Sequence, residues 1–352
     1  MARNVPRLLH RKTAHDSLSR VPELPDIAVY IEHIERRFIG EPLENIRVAN
    51  PFVVRTAVPP LSDAKGRPLT RMARLGKRLV FELGSLPDKP NSTLIVLHLM
   101  VAGRLKLLPK GGLIPKKLGL AAFDFPSGSL LLTEAGTKRR ASIHYVVSGP
   151  EALVPFDRGG LEVLTCTKAA FVERLKRTNH TLKRALTDPT ILSGIGNGYS
   201  DEILHVAKLS PLKQTHKLAE DEWTRLFDAT IRCLQDWIVK LRSESANGFP
   251  EHVTAFREDM RVHGKYRKPC VECGSPVLRI SYADNETNYC ATCQTGGKPL
   301  ADRSMSRLLG KDWPKSLDEL EDLRPTLLGK PNPARSTKTR ATTKKPALSG
   351  SE

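Results

Sequence analysis

Val21-Pro22-Glu23-Leu24-Pro25-Asp26 opens the first clear helical pattern of the 352-residue chain. From Asp26, the apolar residues Ile27, Tyr30, Ile31, Ile34 and Phe38 recur at helical spacing, and Gly40 ends the run. Read locally, Pro-Glu-Leu-Pro is a proline-rich helix entry. It gains chemical interest if the mature chain starts at Pro22, which would then carry a secondary amine beside a carboxylate. An α-amino group has a pKa of about 7.7–8.0, so part of it is unprotonated and nucleophilic at neutral pH. An interior proline nitrogen is an amide and is inert. Residues 1–21 therefore matter. They form a basic N-terminal extension that has no hydrophobic periodicity. Three readings compete for it: a disordered basic arm, an organelle transit peptide, or upstream sequence that is not translated. The last has a motive, because valine is the reading of a GTG codon. A bacterial start there, followed by removal of the initiator, would expose Pro22.

Downstream, short β-rich runs follow, separated by Gly, Pro and Asp: 43–48, 79–83, 94–99, 104–108, 120–125, 129–133 and 143–147. Such a series predicts a β-sandwich or barrel, so a leading helix plus sandwich is expected over 22–157. After residue 160 the pattern turns helical, over 168–177, 180–187, 197–206 and a long stretch over 220–243, giving a second domain over 158–261. Cysteines cluster within 262–297. A short helical appendage is expected over 298–328, from Asp302 to Leu323, and a disordered basic tail over 329–352. The fold class is α+β, multidomain.

Charge narrows the partner. The formal net charge is +18; residues 1–20 contribute +4 and residues 329–352 contribute +5, which leaves +9 on the body. A basic body points to a polyanion, and nucleic acid fits better than a membrane surface, since no long basic amphipathic helix is evident. No apolar run approaches the roughly 20 residues of a membrane span, and no secretory signal is visible.

Three constellations carry chemistry. Cys270-x2-Cys273-x16-Cys290-x2-Cys293 has the spacing of two metal knuckles. Each knuckle can point two thiolates at one tetrahedral ion, which predicts one structural Zn2+ per chain and a reducing compartment. Arg279, Tyr282, Asn285 and Asn288, between the knuckles, suit contact with a backbone. Gly194-Ile195-Gly196-Asn197-Gly198-Tyr199 follows a helical pattern rather than a strand, so it is read as a turn between helices. Asn197 would cap the second helix, leaving free N–H groups toward a phosphate. Arg74, Lys77, Arg78, Arg104, Lys138, Arg139 and Arg140 are basic residues on strand-like segments, most of them explicable as surface charge. His98 reads as a core histidine, and Cys166 and Cys233 as inert core residues.

In this order, Pro-Glu-Leu-Pro-Asp, Leu75-Gly76-Lys77-Arg78, His98-Leu99, the Gly194–Leu204 turn with Asn197 and Glu202, and the four-cysteine ribbon resemble the formamidopyrimidine-DNA glycosylase / endonuclease VIII family, over residues 22–297. The resemblance implies a helix-two-turn-helix DNA-binding domain and a monomeric glycosylase and AP lyase. Its substrate would be duplex DNA with oxidised or abasic lesions, in a bacterial cytoplasm in association with the nucleoid. Pro22 would attack C1′, Glu23 would act as general acid/base, and Lys77 would hold a phosphate by the lesion. Arg139, Arg140, Asn197 and Asn285 would contact DNA.

Departures accompany the match. Asn285 stands where the family's ribbon carries an arginine clamp, and Ala141-Ser142 follows Arg139-Arg140 where an aromatic wedge is usual. The family's space-filling methionine aligns with Val101, with Met100 adjacent. Two other classes compete with the enzyme: a non-catalytic DNA-binding paralogue and an RNA-binding zinc-ribbon protein.

Overall fold

The computed structural model describes residues 21–135, 139–251, 257–282, 285–301, 307 and 309–327. The extension over 1–20, Lys138, the start of the expected appendage at Asp302, and the tail over 329–352 lie outside them, as does the Asn285 side chain.

Helix α1 spans Leu24–Phe38 and starts two residues earlier than the apolar pattern suggests. Pro25 sits in its first turn, where a missing N–H costs nothing, and Asp26 in that turn accepts the Glu23 backbone N–H at 2.8 Å. Eight strands follow as two antiparallel four-stranded sheets. One has the order β1 (Asn45–Val48), β6 (Gly119–Phe125), β7 (Gly128–Glu134), β5 (Gly103–Leu108). The other runs β2 (Leu69–Leu75), β3 (Arg78–Leu83), β4 (Thr93–His98), β8 (Ser142–Val147). Their inner faces share one core that includes Phe81, Phe123, Leu97 and Leu130. Strand β2 has no counterpart among the sequence-predicted runs. It is an edge strand whose Thr70, Arg71 and Arg74 dilute the alternation, and its register shifts between Leu69 and Arg71.

The second lobe packs α2 (Lys168–Lys176), α3 (Leu182–Thr187), α4 (Asn197–Val206) and the long α5 (Glu220–Glu244) around Trp223, Tyr199, Leu226 and Leu234. Helix α1 serves both lobes. Ile27, Tyr30, Ile34 and Phe38 enter the sandwich core, whereas Leu24 and Val29 enter the helical one. The start of α1 therefore lies at the seam between the lobes. A hairpin of β9 (Val277–Tyr282) and β10 (Asn285–Cys290), followed by the short α6 (Ala291–Thr295), packs on α4.

Residues from Gly297 onward belong to a separate compact unit. Within it, α7 covers Leu317–Leu327, and the Trp313 indole N–H donates to the Pro299 carbonyl at 3.0 Å. None of the helices among the described residues is long and apolar enough to cross a membrane.

Candidate active site and nucleic-acid interface

Three turns converge on the start of α1. The first is α1's own N-terminus, where Pro22 and Glu23 are both buried. The second is the β2–β3 hairpin, in which Leu75 pairs with Arg78 and Gly76 and Lys77 form the two-residue turn. Gly76 adopts φ +62°, a left-handed conformation that glycine takes without strain and that the turn requires. The third is the glycine-rich entry to α4. Gly194 there has φ +85°, and its carbonyl accepts the Leu24 N–H at 2.9 Å.

The Glu23 carboxylate spans the seam. Its Oε2 accepts N–H donations from Gly196 at 2.5 Å and Tyr199 at 3.3 Å, and its Oε1 accepts Gly198 N–H at 2.8 Å. A carboxylate thus fills the electropositive N-terminus of α4. The expected side-chain cap from Asn197 does not form. Gly196 is the N-cap, Asn197 is the first helical residue, and these three N–H groups are already satisfied by Glu23 rather than open to a phosphate. The Asn197 side chain instead donates to the Glu286 carbonyl on β10 at 2.8 Å.

Lys77 reaches the same point. A methyl group placed on Gly196 would lie 2.2 Å from Lys77 Nζ and 2.5 Å from the Glu23 carboxyl carbon, so ammonium and carboxylate occupy the space a side chain would need. Burial lowers the Lys77 pKa, opposed by the charges of Glu23 and Asp26. Asp26 behind them is fully enclosed, and desolvation, reinforced by the Glu23 charge, raises its pKa to about 7 against the Glu23 N–H bond that lowers it. One Asp26 oxygen and the Tyr199 hydroxyl are buried and make no hydrogen bond among the described residues.

Lys77 also borders a cavity of about 360 Å³ between the lobes, lined by Arg78, His98, Arg158, Ser193 and Gly194 among others. His98 is therefore a wall residue and not the core residue its apolar strand suggests. Burial, with Arg78, Lys77 and His144 nearby, lowers its pKa to about 4, so the imidazole is neutral at physiological pH. Arg74 and Arg78 are braces and not surface charges. Arg74 donates to the Gly76 carbonyl at 2.7 Å and pairs with Glu162, and Arg78 donates to the Phe156 carbonyl at 3.1 Å. Arg158, on the connection between the lobes, had no sequence signal beyond its charge.

Arg139 and Arg140 are exposed on the loop after β7, clamped from behind by Glu134, which accepts the N–H groups of Arg140 at 2.9 Å and Ala141 at 3.0 Å. Ala141 is packed into the sandwich core, so it offers no wedge, whereas Val101 on the β4–β5 turn is 37% exposed. Met100 beside it adopts φ +54°.

The ribbon is tied to α4 along one helix face. Asp201 accepts the Asn288 N–H at 3.0 Å, bonds His263 Nδ1 at 2.8 Å and pairs with Lys183. Glu202 accepts N–H groups from Arg261 at 2.7 Å and from Val262 and His263 at 2.9 Å each. His205 Nε2 lies 3.2 Å from Cys270 Sγ. Asn288 is thus a structural residue. The four thiols of Cys270, Cys273, Cys290 and Cys293 lie within 4.8 Å of one another, with Cys273–Cys290 at 3.4 Å and Cys270–Cys293 at 4.0 Å. Four mutually adjacent sulfurs fit a tetrahedral thiolate metal site. Cys233 is buried in the helical core, and burial raises its thiol pKa well above the usual range.

This fold and site match a known family. The formamidopyrimidine-DNA glycosylase N-terminal domain matches residues 21–141, and the H2TH domain of the same enzymes matches residues 162–246. An uncharacterized formamidopyrimidine-DNA glycosylase-like protein of Mycobacterium tuberculosis is 45% identical over 128 residues, covering 36% of this chain and 79% of that one. The formamidopyrimidine-DNA glycosylase of Lactococcus lactis is 28% identical over 283 residues, covering 78% and 99%. A solved complex of the Lactococcus lactis enzyme with DNA containing an abasic site superposes with TM-score 0.67 at 25% identity, covering 78% of this chain and 99% of that one. A MutM complex with DNA containing carbocyclic 8-oxo-G gives TM-score 0.67 at 26% identity, covering 78% and 100%. The chain belongs to the formamidopyrimidine-DNA glycosylase / endonuclease VIII family.

Proposed function

We propose that the chain is a DNA glycosylase with AP lyase activity that excises oxidised bases from duplex DNA through the secondary amine of Pro22. The observation that carries this reading is the meeting of Glu23, Lys77 and the N-terminus of α4 at the start of α1, beside a cavity between two lobes. The DNA ligands of the solved relatives support the same class of partner here.

The damaged nucleotide leaves the stack to reach the seam. The Pro22 nitrogen donates its lone pair to C1′, and the base departs with the glycosidic electron pair and takes up a proton. The amine's own proton passes to O4′ as the nitrogen lone pair expels it, which breaks C1′–O4′, opens the sugar ring and leaves an iminium that acidifies the C2′ hydrogen. Loss of that proton expels the 3′ phosphate by β-elimination, and water returns the free amine. Glu23 relays protons at the sugar, on lone pairs not committed to α4. Lys77 holds the adjacent phosphate and fixes the attack geometry. Arg139, Arg140 and Asn285 are assigned to the DNA backbone, and Asn197, whose side chain already donates to the Glu286 carbonyl, is assigned to it only through its remaining amide N–H. Zn2+ on the four cysteines supplies no chemistry of its own and keeps the ribbon folded.

The chemistry requires Pro22 to be the first residue of the mature chain. A chain that keeps residues 1–21 carries an amide nitrogen there. It could bind damaged DNA without turning it over, which is the second reading. Borohydride trapping on abasic and oxidised-base duplexes, with chains starting at Met1 and at Pro22, separates the two. A covalent adduct is expected only from the Pro22 chain, and its absence there would sink the amine mechanism.

A further inference from the structure

We infer that Arg267 and Arg279, gathered over the ring of Tyr266, form an additional DNA-backbone site on the ribbon, outside the seam. This rests on duplex DNA being the partner.

The starting point is a backbone conformation. Lys268 N–H donates to the Lys265 carbonyl at 2.8 Å, closing a β-turn in which Arg267 is the third residue with φ +68°. Glycine occupies that position without strain, and a residue with a Cβ does not. The turn is imposed from outside. Arg267 N–H donates to the Val277 carbonyl, and Val277 N–H donates to the Lys268 carbonyl, each at 2.9 Å, which pins the turn to β9. The ribbon would fold at least as well with glycine there, so the side chain has to repay its conformation by what it contacts.

Inside the protein, what it contacts is the Tyr266 ring. The guanidinium carbon of Arg267 lies 5.2 Å from the ring centroid, and that of Arg279 lies 4.3 Å from it. The ring holds two like charges near each other and keeps them oriented. Neither is well neutralised. Among the described residues Arg267 has no ion pair, and Arg279 Nη1 reaches only Glu286, at 3.4 Å. Both side chains are exposed. Two planar guanidinium groups, that of Arg279 engaged only at Nη1 by Glu286, match a phosphodiester. The location fits as well. The carbonyl of Glu286, the same residue that meets Arg279, accepts the Asn197 side chain at 2.8 Å, so the pair adjoins the N-terminal end of α4.

The alternative is that the stack only packs the ribbon, and the two ideas predict opposite outcomes for Arg267→Gly. A packing role lowers the thermal midpoint. A DNA role leaves midpoint and metal content undiminished while weakening binding. The experiment measures affinity of the full chain for a duplex containing an abasic-site analogue, between 50 and 200 mM salt. Loss of one phosphate contact should make the log K versus log salt slope shallower by about 0.9, so over that fourfold range the variant loses about 3.5-fold less affinity than the wild type. Arg279→Gln should do the same. Tyr266→Leu keeps both charges, so it should weaken binding with the slope retained. If the wild type binds this duplex and neither arginine variant alters the slope, the site is overturned while the proposed function stands. A shallower slope accompanied by loss of the ribbon metal also overturns it. A wild-type chain that does not bind the duplex removes the proposed function itself.

Discussion

The two ends of α4 are held in contrasting ways. At its N-terminus a single residue of the other lobe, Glu23, accepts three backbone N–H groups across 173 to 176 positions of sequence. Along the face leading to its C-terminus, four residues, Asn197, Asp201, Glu202 and His205, share the attachment to the ribbon side, with Asp201 and Glu202 both bonding His263. The first attachment is concentrated and holds the groups proposed for the chemistry; the second is distributed and holds the four-cysteine hairpin. One substitution should therefore disable the first, whereas the second should fail only when its metal is lost or several contacts go together.

Gly196→Ala tests the concentrated end and should have the largest effect. Its methyl would collide with Lys77 Nζ, displacing the ammonium toward the adjoining cavity, and with the Glu23 carboxyl group, which three N–H donors hold in place. Trapping and excision should fall by about 100-fold or more, the scale of catalytic loss that follows misplaced reacting groups. Full activity in this variant would mean that Glu23 and Lys77 do not act from these positions. Cys290→Ser attacks the distributed end at its metal. Elemental analysis should find no bound zinc, and duplex affinity should drop by at least tenfold because the hairpin no longer folds. Normal affinity without metal would detach the ribbon from DNA binding.

Asp26→Asn gives a smaller effect with a defined pH dependence. The carboxyl group is raised from 3.8 to about 7 in the folded chain. The folded state thus binds the proton more tightly than the unfolded state, and stability is lost as pH rises from about 4 through about 7. Asparagine can still accept the Glu23 N–H and carries no charge to desolvate. Denaturant unfolding should show the variant more stable than the wild type at pH 8 by up to about 4 kcal/mol, with the difference vanishing near pH 4. A constant offset across that range would disprove the assignment. Smallest is Asn197→Ala, which removes one neutral hydrogen bond to Glu286 and should cost about 1 kcal/mol of stability in the same assay. A loss several times larger would make the ribbon face as concentrated as the Glu23 end.

Much of this molecule can be read from its residues, and the limits are physical. The apolar stripe of α1, seven of the eight sandwich strands and the cysteine spacing are local patterns, and they survive folding. Strand β2 escapes because an edge strand need bury only alternate side chains, and three of its seven residues are Thr70, Arg71 and Arg74. The misreading of Asn197 has a different origin. Local rules say that a helix start needs a cap, and Asn197 offers one, but the donors are taken by Glu23 from far away in sequence. His98 is similar. Its apolar strand reads as core, and only the approach of the second lobe turns that position into a cavity wall. Proximity of Glu23 to Lys77 is likewise a property of three turns meeting.

Helix α1, buried on both sides, also sets how the crevice can move. Opening the lobes like a hinge would require α1 to leave one core. Withdrawing Ile27, Tyr30, Ile34 and Phe38 from the sandwich would expose four large apolar side chains, at about 1.5–3 kcal/mol each. Such a cost approaches the whole stability of an ordinary domain. The lobes should then unfold in one cooperative transition, and the seam should keep nearly constant width. On the proposed function, a duplex at this seam has to do the bending itself, so base pairs already weakened by a lesion should enter at the lowest deformation cost.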